Sequence, residues 1–244
     1  MPKPHPIIDK LIALDMLKTW SLIVTLFGDL DGEDLSGTQI RDLLGHIGIK
    51  PEAIRVALHR LKSDGWITSS KRGREAVYRL TSMARSETEA VAPDIYGASV
   101  KKKGNWQLHL VKDISDAPEA ISLNRNLVIV PKHGTPLNAD SLPLEFGSPE
   151  LPKWVETSLV SESLLSLAGN LERLVGHFSE LESQRDQFVF RLLILHHWRR
   201  IALRSGAWAH ASLVPNGDIA KCHTKVVALL ASSSKIKDVS KADL

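Results

Sequence analysis

Between Ser36 and Thr81 the chain runs SGTQIRDLLGHIGIKPEAIRVALHRLKSDGWITSSKRGREAVYRLT, and few local structures accommodate that pattern. Ser36 is a helix N-cap, because its hydroxyl can satisfy a free backbone N–H of the first turn. Ile40, Leu43 and Leu44 follow at helical spacing, and Gly45 and Gly48 punctuate the end. Pro51 suits a first helical position, where its missing N–H costs nothing. Beyond it Ile54, Ala57, Leu58 and Leu61 make a buried stripe. Arg55, His59 and Lys62 fall at i, i+4 and i+7 and share a different face. Gly65 stops this helix. Trp66 and Ile67 open a strand, Lys71 to Arg74 make a turn, and Ala76 to Leu80 return as a second strand. Helix, turn, helix and basic-tipped hairpin together outline a winged helix-turn-helix.

Two readings fit this outline. In the first, the Arg55/His59/Lys62 face enters a DNA major groove, while Arg60 and the hairpin residues Lys71, Arg72 and Arg74 hold phosphates. In the second, the module is structural and its basic residues are merely solvated. Charge separates them. The stretch holds nine Lys and Arg against four Asp and Glu, an excess larger than the whole chain's formal +3. Such concentration is the footprint expected of a phosphate binder and favours the first reading.

The rest of the chain reads in order. Residues 1–6 carry three prolines and suggest a loose arm. A helix is expected over Ile7–Leu17, and the apolar Thr19–Leu30 segment is the first helix of the winged module. Ser82–Pro93 suits a linker or a short solvated helix, with a break at Pro93–Gly97. A basic run, Lys101–Lys103, leads to an alternating strand at Asn105–Lys112. A buried strand follows at Leu127–Val130, and a weaker one at Pro143–Phe146. From about Lys153 the pattern is helical, with leucines recurring from Leu159 to Leu181. Gln187–Arg204 is then apolar on nearly every side and must be buried. Ile219–Leu230 is the last helix, and the tail has too few apolar residues to pack.

The expected organisation is therefore α+β and mostly helical. Residues 1–81 form a winged module, 82–100 a linker, 101–152 a small α+β unit, 153–232 a helical domain and 233–244 a flexible tail. A single cysteine, Cys222, excludes an internal disulfide and fits a reducing compartment. The start lacks the pattern of a signal peptide, and no apolar run approaches the length of a membrane span. A soluble, cytoplasmic protein is expected.

Several of these residues resemble a known family. The N-terminal ones are Ser21 to Asp29 (SLIVTLFGD), Arg55, Ala57-Leu58, Arg60-Leu61, Asp64-Gly65-Trp66, Arg72-Gly73-Arg74 and Tyr78-Arg79-Leu80. The C-terminal ones run from Arg191 to Ile194, through His196 to Arg199-Arg200, and on to Leu203-Arg204. In order and spacing they resemble the PaaX-like family of transcriptional regulators, repressors of phenylacetate catabolism and related pathways. The resemblance implies a ferredoxin-like central unit. It also implies a homodimer that leaves its double-stranded DNA operator when an acyl-coenzyme A, typically phenylacetyl-coenzyme A, binds.

If such an effector binds, the site must lie in residues 100–230, because the winged module is too small for both tasks. Arg199, Arg200 and Arg204 can face its phosphates and Trp198 and Trp208 its acyl group, with His196 lining the pocket. Helix packing and surface ion pairs account for the same residues equally well. No metal site or cofactor is expected, since His196-His197 and Cys222-His223 are adjacent pairs rather than ligand spacings. No nucleotide-binding or nucleophile motif is present, so the chain is read as a regulator and not an enzyme. A nuclease or thioesterase fused to the winged module, or a protein-interaction scaffold, stands as the alternative.

Overall fold

Pro6 opens the first helix instead of closing an arm: α1 spans Pro6–Ile12, and the His5 ring nitrogen accepts from the Ile7 N–H at 3.3 Å. The computed structural model describes residues 4–30, 33–97, 106–112, 120–131, 141–144, 153–204 and 206–233. The Lys101–Lys103 run, Asn105, Phe146 and all of the tail after Ser233 lie outside the described residues.

The helix expected to reach Leu17 stops at Ile12, and α2 follows at Thr19–Asp29. A two-residue strand, β1 (Leu35–Ser36), leads into α3 (Gly37–His46). Ser36 caps α3 as its hydroxyl foretold, and Gln39 reaches back to the Ser36 N–H at 2.9 Å, completing a reciprocal box. Next come α4 (Pro51–Ser63), β2 (Ile67–Arg72) and β3 (Glu75–Leu80). The three strands form an antiparallel sheet in the order β1-β3-β2. Lys71 and Arg72, expected in the turn, sit on β2 opposite Ala76 and Glu75. The hairpin turns on two residues only, with Gly73 at φ +65° as the primed hairpin turns require.

Ser82–Tyr96 is a helix, α5, capped by the Thr81 hydroxyl. It continues past the break expected at Pro93, which lies in its last turn, and ends at Tyr96 with Gly97 as its cap. Four strands then form a second antiparallel sheet: β4 (Trp106–Val111), β5 (Ile121–Asn124), β6 (Leu127–Pro131) and β7 (Ser141–Leu144), ordered β5-β6-β4-β7. β5 escaped the sequence reading, being short and irregularly paired around Ser122 and Asn124.

The helical pattern expected from Lys153 is present as separate helices. Between α6 (Lys153–Leu159) and α7 (Glu162–Val175) Ser161 caps a fresh start, accepting from the Leu164 N–H at 3.3 Å. A short 3-10 turn, α8 (Gln184–Ala202), α9 (Ala207–Leu213) and α10 (Asp218–Ser232) follow. The helices α6 and α9 cover one face of the second sheet through Val155, Leu159 and Ala209 against Ile129. The mixed α+β, mostly helical class is as expected.

The helix α8 explains the burial its sequence demanded. It packs against α1, α2, α3, α5, α7, α9 and α10, and Phe190, Leu193, Ile194, Leu195 and Trp198 are fully enclosed. Each such side chain contributes on the order of 1.5–3 kcal/mol of apolar burial. Residues of α1–α5 and α7–α10 share one continuous apolar core. Several of the polar groups buried with it are paired. The Arg191 guanidinium, 1% exposed, donates to both Asp29 oxygens at 2.6 and 2.7 Å, tying α8 to α2. It also donates to the carbonyls of Leu230 and Ser233 and to the Ser233 hydroxyl. The Tyr96 hydroxyl donates to Asp29 at 3.2 Å.

Candidate nucleic-acid interface

The helix α4 has the polarity its termini favour, with Glu52 in the first turn and Arg60 and Lys62 in the last. Ile54, Ala57, Leu58 and Leu61 are buried, as the stripe required, and turn the opposite face outward. Arg55, His59 and Lys62 are all exposed and line one groove of about 650 Å³ between α4 and the hairpin. Lys62 Nζ donates to the Ser69 hydroxyl of β2 at 2.8 Å, which fixes the end of α4 against the hairpin.

Arg60 is not in this groove. It lies 6.0 Å from the centre of the Trp20 ring of α2 and 3.5 Å from Asp64, on another side of the helix. Lys71, Arg72 and Arg74 are exposed at the hairpin, and Arg72 and Arg74 flank a second hollow of about 970 Å³ beside α3. Arg72 lies 3.7 Å from Asp34, a carboxylate that Arg79 also engages, at 2.9 Å. Exposed pairs of this kind are worth less than about 1 kcal/mol, so Arg72 is free to exchange Asp34 for a phosphate. Beside the turn of the hairpin Glu75 accepts from the Thr38 N–H at 3.2 Å. Hydrogen bonds from Thr38 and Ser36 hold its carboxyl below the usual range.

Arg41 belongs with this set, although the sequence reading counted it only as charge. It projects from α3 and lines both hollows. The available signal was its exposure: it follows Ile40 and precedes the apolar pair Leu43-Leu44, and so falls outside their stripe.

The residues named for an effector do not converge. Trp198 is fully enclosed, its Nε1–H donating to the Ile95 carbonyl at 3.0 Å. Trp208 donates to the Ala202 carbonyl and meets Trp198 edge-on. Arg199 is half-buried and donates to the Thr25 hydroxyl at 2.8 Å. His196 is buried with an unpartnered Nδ1, and burial pushes it down to about 3. Only Arg200 and Arg204 share a cleft, of about 380 Å³, where Arg200 pairs with Asp15. Cys222 and His223 are buried apart from any metal-binding group among the described residues, and His223 bonds the Gly97 carbonyl.

A small helical module with an outward basic helix and a basic hairpin, docked on a larger helical body, defines the class of protein. Residues 18–84, from just before α2 to the first turn of α5, match the family model described as PaaX-like protein. The match spans the stretch that holds Arg41, Arg55, His59, Arg60, Lys62, Lys71, Arg72 and Arg74. The C-terminal part of the resemblance, Arg191 to Arg204, lies outside that match. No curated protein matches the chain. Among the described residues no helix is long and apolar enough to cross a membrane.

Proposed function

We propose that this chain is a DNA-binding transcriptional regulator, with residues 1–81 acting as a winged helix-turn-helix. One observation carries the reading: Arg55, His59 and Lys62 line one open groove, while Lys71, Arg72 and Arg74 stand exposed on the neighbouring hairpin. The match to a family of regulators supports it. In this reading α4 enters the major groove, the hairpin residues and Arg60 hold flanking phosphates, and Arg41 reaches the backbone beside them.

The finer features follow from the same family. The protein acts in the cytoplasm as a homodimeric repressor on paired half-sites, and an acyl-coenzyme A such as phenylacetyl-coenzyme A releases it. The antiparallel order β5-β6-β4-β7 supports a ferredoxin-like central unit, in which the first strand lies between the third and the fourth. Of the candidate effector residues, Arg200 and Arg204 hold the open positions suited to phosphate, which a guanidinium binds well.

The test is selection of bound sequences from random duplex DNA, followed by titration of variants on selected and random duplexes. Arg55→Ala costs about 1–3 kcal/mol on the selected sequence and relaxes one base position. Arg74→Ala weakens binding to both duplexes and lowers the salt slope by about one. Equal losses for Arg55→Ala on both duplexes refute its role in base reading. Binding that ignores salt refutes the whole assignment.

A further inference from the structure

The α6–α7 corner contributes to the Arg200/Arg204 cleft and also to a hollow of about 470 Å³ with the opposite character. Glu156 of α6, Glu162 and Ser166 of α7, and Asp218 at the start of α10 line it, and His210 of α9 forms part of its wall. Among the described residues no lysine or arginine lines it.

Acidic residues at Glu162 and Asp218 have an ordinary explanation, since each opens a helix and offsets the positive end of its dipole. That accounts for about half a charge at each terminus, so the three carboxylates still leave the hollow negative. It does not account for His210. This side chain is 1% exposed, and neither ring nitrogen has a hydrogen-bond partner. Its Nε2 faces Glu156 Oε2 across 3.8 Å, too far for a hydrogen bond. Burial lowers its pKa, which keeps the imidazole neutral with one lone pair unused. An enclosed polar atom left unpaired costs about 1–3 kcal/mol, and a fold seldom keeps one without a use.

The wall is also shaped to stay open. A Cβ on Gly217 would meet Val214 at 3.0 Å and the His210 ring at 3.2 Å. One on Gly169 would meet an Asp218 oxygen at 3.1 Å, so that glycine lets the carboxylate lie close against α7.

We infer that this hollow, formed by Glu156, Glu162, His210 and Asp218, binds a small organic cation of the alkyl-diamine class. One ammonium donates to Glu156 and, once that partly exposed side chain turns, to the His210 lone pair. The second ammonium reaches Glu162, with Asp218 beside it. A bare metal ion fits less well, because no three His, Cys, Asp or Glu side chains among the described residues are close enough to grip one ion. The volume lies within the range of about 300–1,000 Å³ typical of small-molecule sites. The site does not depend on the DNA-binding assignment.

Isothermal titration of the full chain with putrescine, at constant ionic strength, tests the proposal. The expected result is saturable binding of one putrescine per chain. Glu156→Gln, Glu162→Gln and His210→Gln should each weaken it at least tenfold while unfolding normally. N-acetylputrescine, which lacks the second ammonium, should bind at least tenfold more weakly. Absence of binding at millimolar putrescine overturns the proposal, and so does equal binding by a folded Glu156→Gln or Glu162→Gln variant. Stoichiometric Zn²⁺ binding that excludes putrescine overturns it in favour of a metal site.

Discussion

Replacing Asp29 by alanine tests the bond between the N-terminal module and the helical body. Asp29 and Arg191 are 3% and 1% exposed, and they meet through two hydrogen bonds of 2.6 and 2.7 Å. Asp29→Ala leaves a guanidinium charge in the core with two of its donor groups unpaired. It also removes the acceptor of the Tyr96 hydroxyl. Removing one partner of a buried pair costs about 3–5 kcal/mol, because the other charge remains desolvated and uncompensated. Against a whole-chain stability of about 5–15 kcal/mol, this is a large fraction. The double variant Asp29→Leu/Arg191→Met removes both charges and should cost less than Asp29→Ala alone, because little is left unpaired. Its remaining cost comes from the Leu230 and Ser233 carbonyls, which lose their donor, and from the Tyr96 hydroxyl, which loses its acceptor. Urea unfolding followed by tryptophan emission reads the difference, since Trp198 and Trp208 pack inside the same core. If Asp29→Ala stays within about 1 kcal/mol of the parent, the pair is not the clasp described here. If the double variant loses as much as the two single ones together, the residues do not act as a unit.

Acid should loosen the same body before the carboxylates titrate. His196 is held down to about 3 by burial, and burial lowers His197 and His210 as well. The unfolded chain takes up protons near pH 6.5 that the folded state refuses, so stability is full above that pH and falls as pH drops from 6.5 toward 3. His196 alone removes about 2 kcal/mol between pH 8 and pH 5; His196→Gln should flatten that slope in urea melts at the two pH values, and an unchanged slope contradicts its burial as a neutral ring. Ser36→Ala breaks the reciprocal cap of α3 and should cost about 1 kcal/mol in the same assay, with Ser36→Gly costing less. A Ser36→Ala variant as stable as the parent means that the cap contributes nothing.

The N-terminal module was legible because its signals are local. Ser36, Pro51 and Gly65 mark element ends by their own backbone chemistry, and the stripe Ile54, Ala57, Leu58, Leu61 places the outward face without reference to the rest of the chain. What escaped depends on distant partners. Arg191 appeared in the sequence only as one residue of a family-like run. Its buried role depends on Asp29, which lies 162 positions earlier and showed no carboxylate partner that would have marked it. Trp198 and Arg199 looked suited to an effector by residue type, yet Ile95 and Thr25 had already engaged them. The helix α9 was missed because a short segment of small and apolar residues has no polar face to set a period. His210 carries no local signal either, since its surroundings come from α6, α7 and the start of α10.

The way α8 is held constrains how any ligand of the body can influence DNA. Its first turn carries Asp186, which pairs with His46 in the last turn of α3 at 2.7 Å. One full turn past that end, Arg191 holds Asp29 at the end of α2, a helix that packs on α4. Both helices that support α4 are thus tied to α8 by hydrogen bonds, as well as by the shared core. A ligand moves α4 only if it binds two arrangements of these ties with different affinity. Allosteric coupling is typically about 1–3 kcal/mol. A charge-assisted hydrogen bond such as His46–Asp186 is worth a similar amount, about 1.5–3 kcal/mol. Loss of that one contact, with the buried Asp29–Arg191 pair intact, is therefore enough to supply a switch of ordinary size. Loss of the buried pair would cost more than a switch requires and would threaten the fold itself.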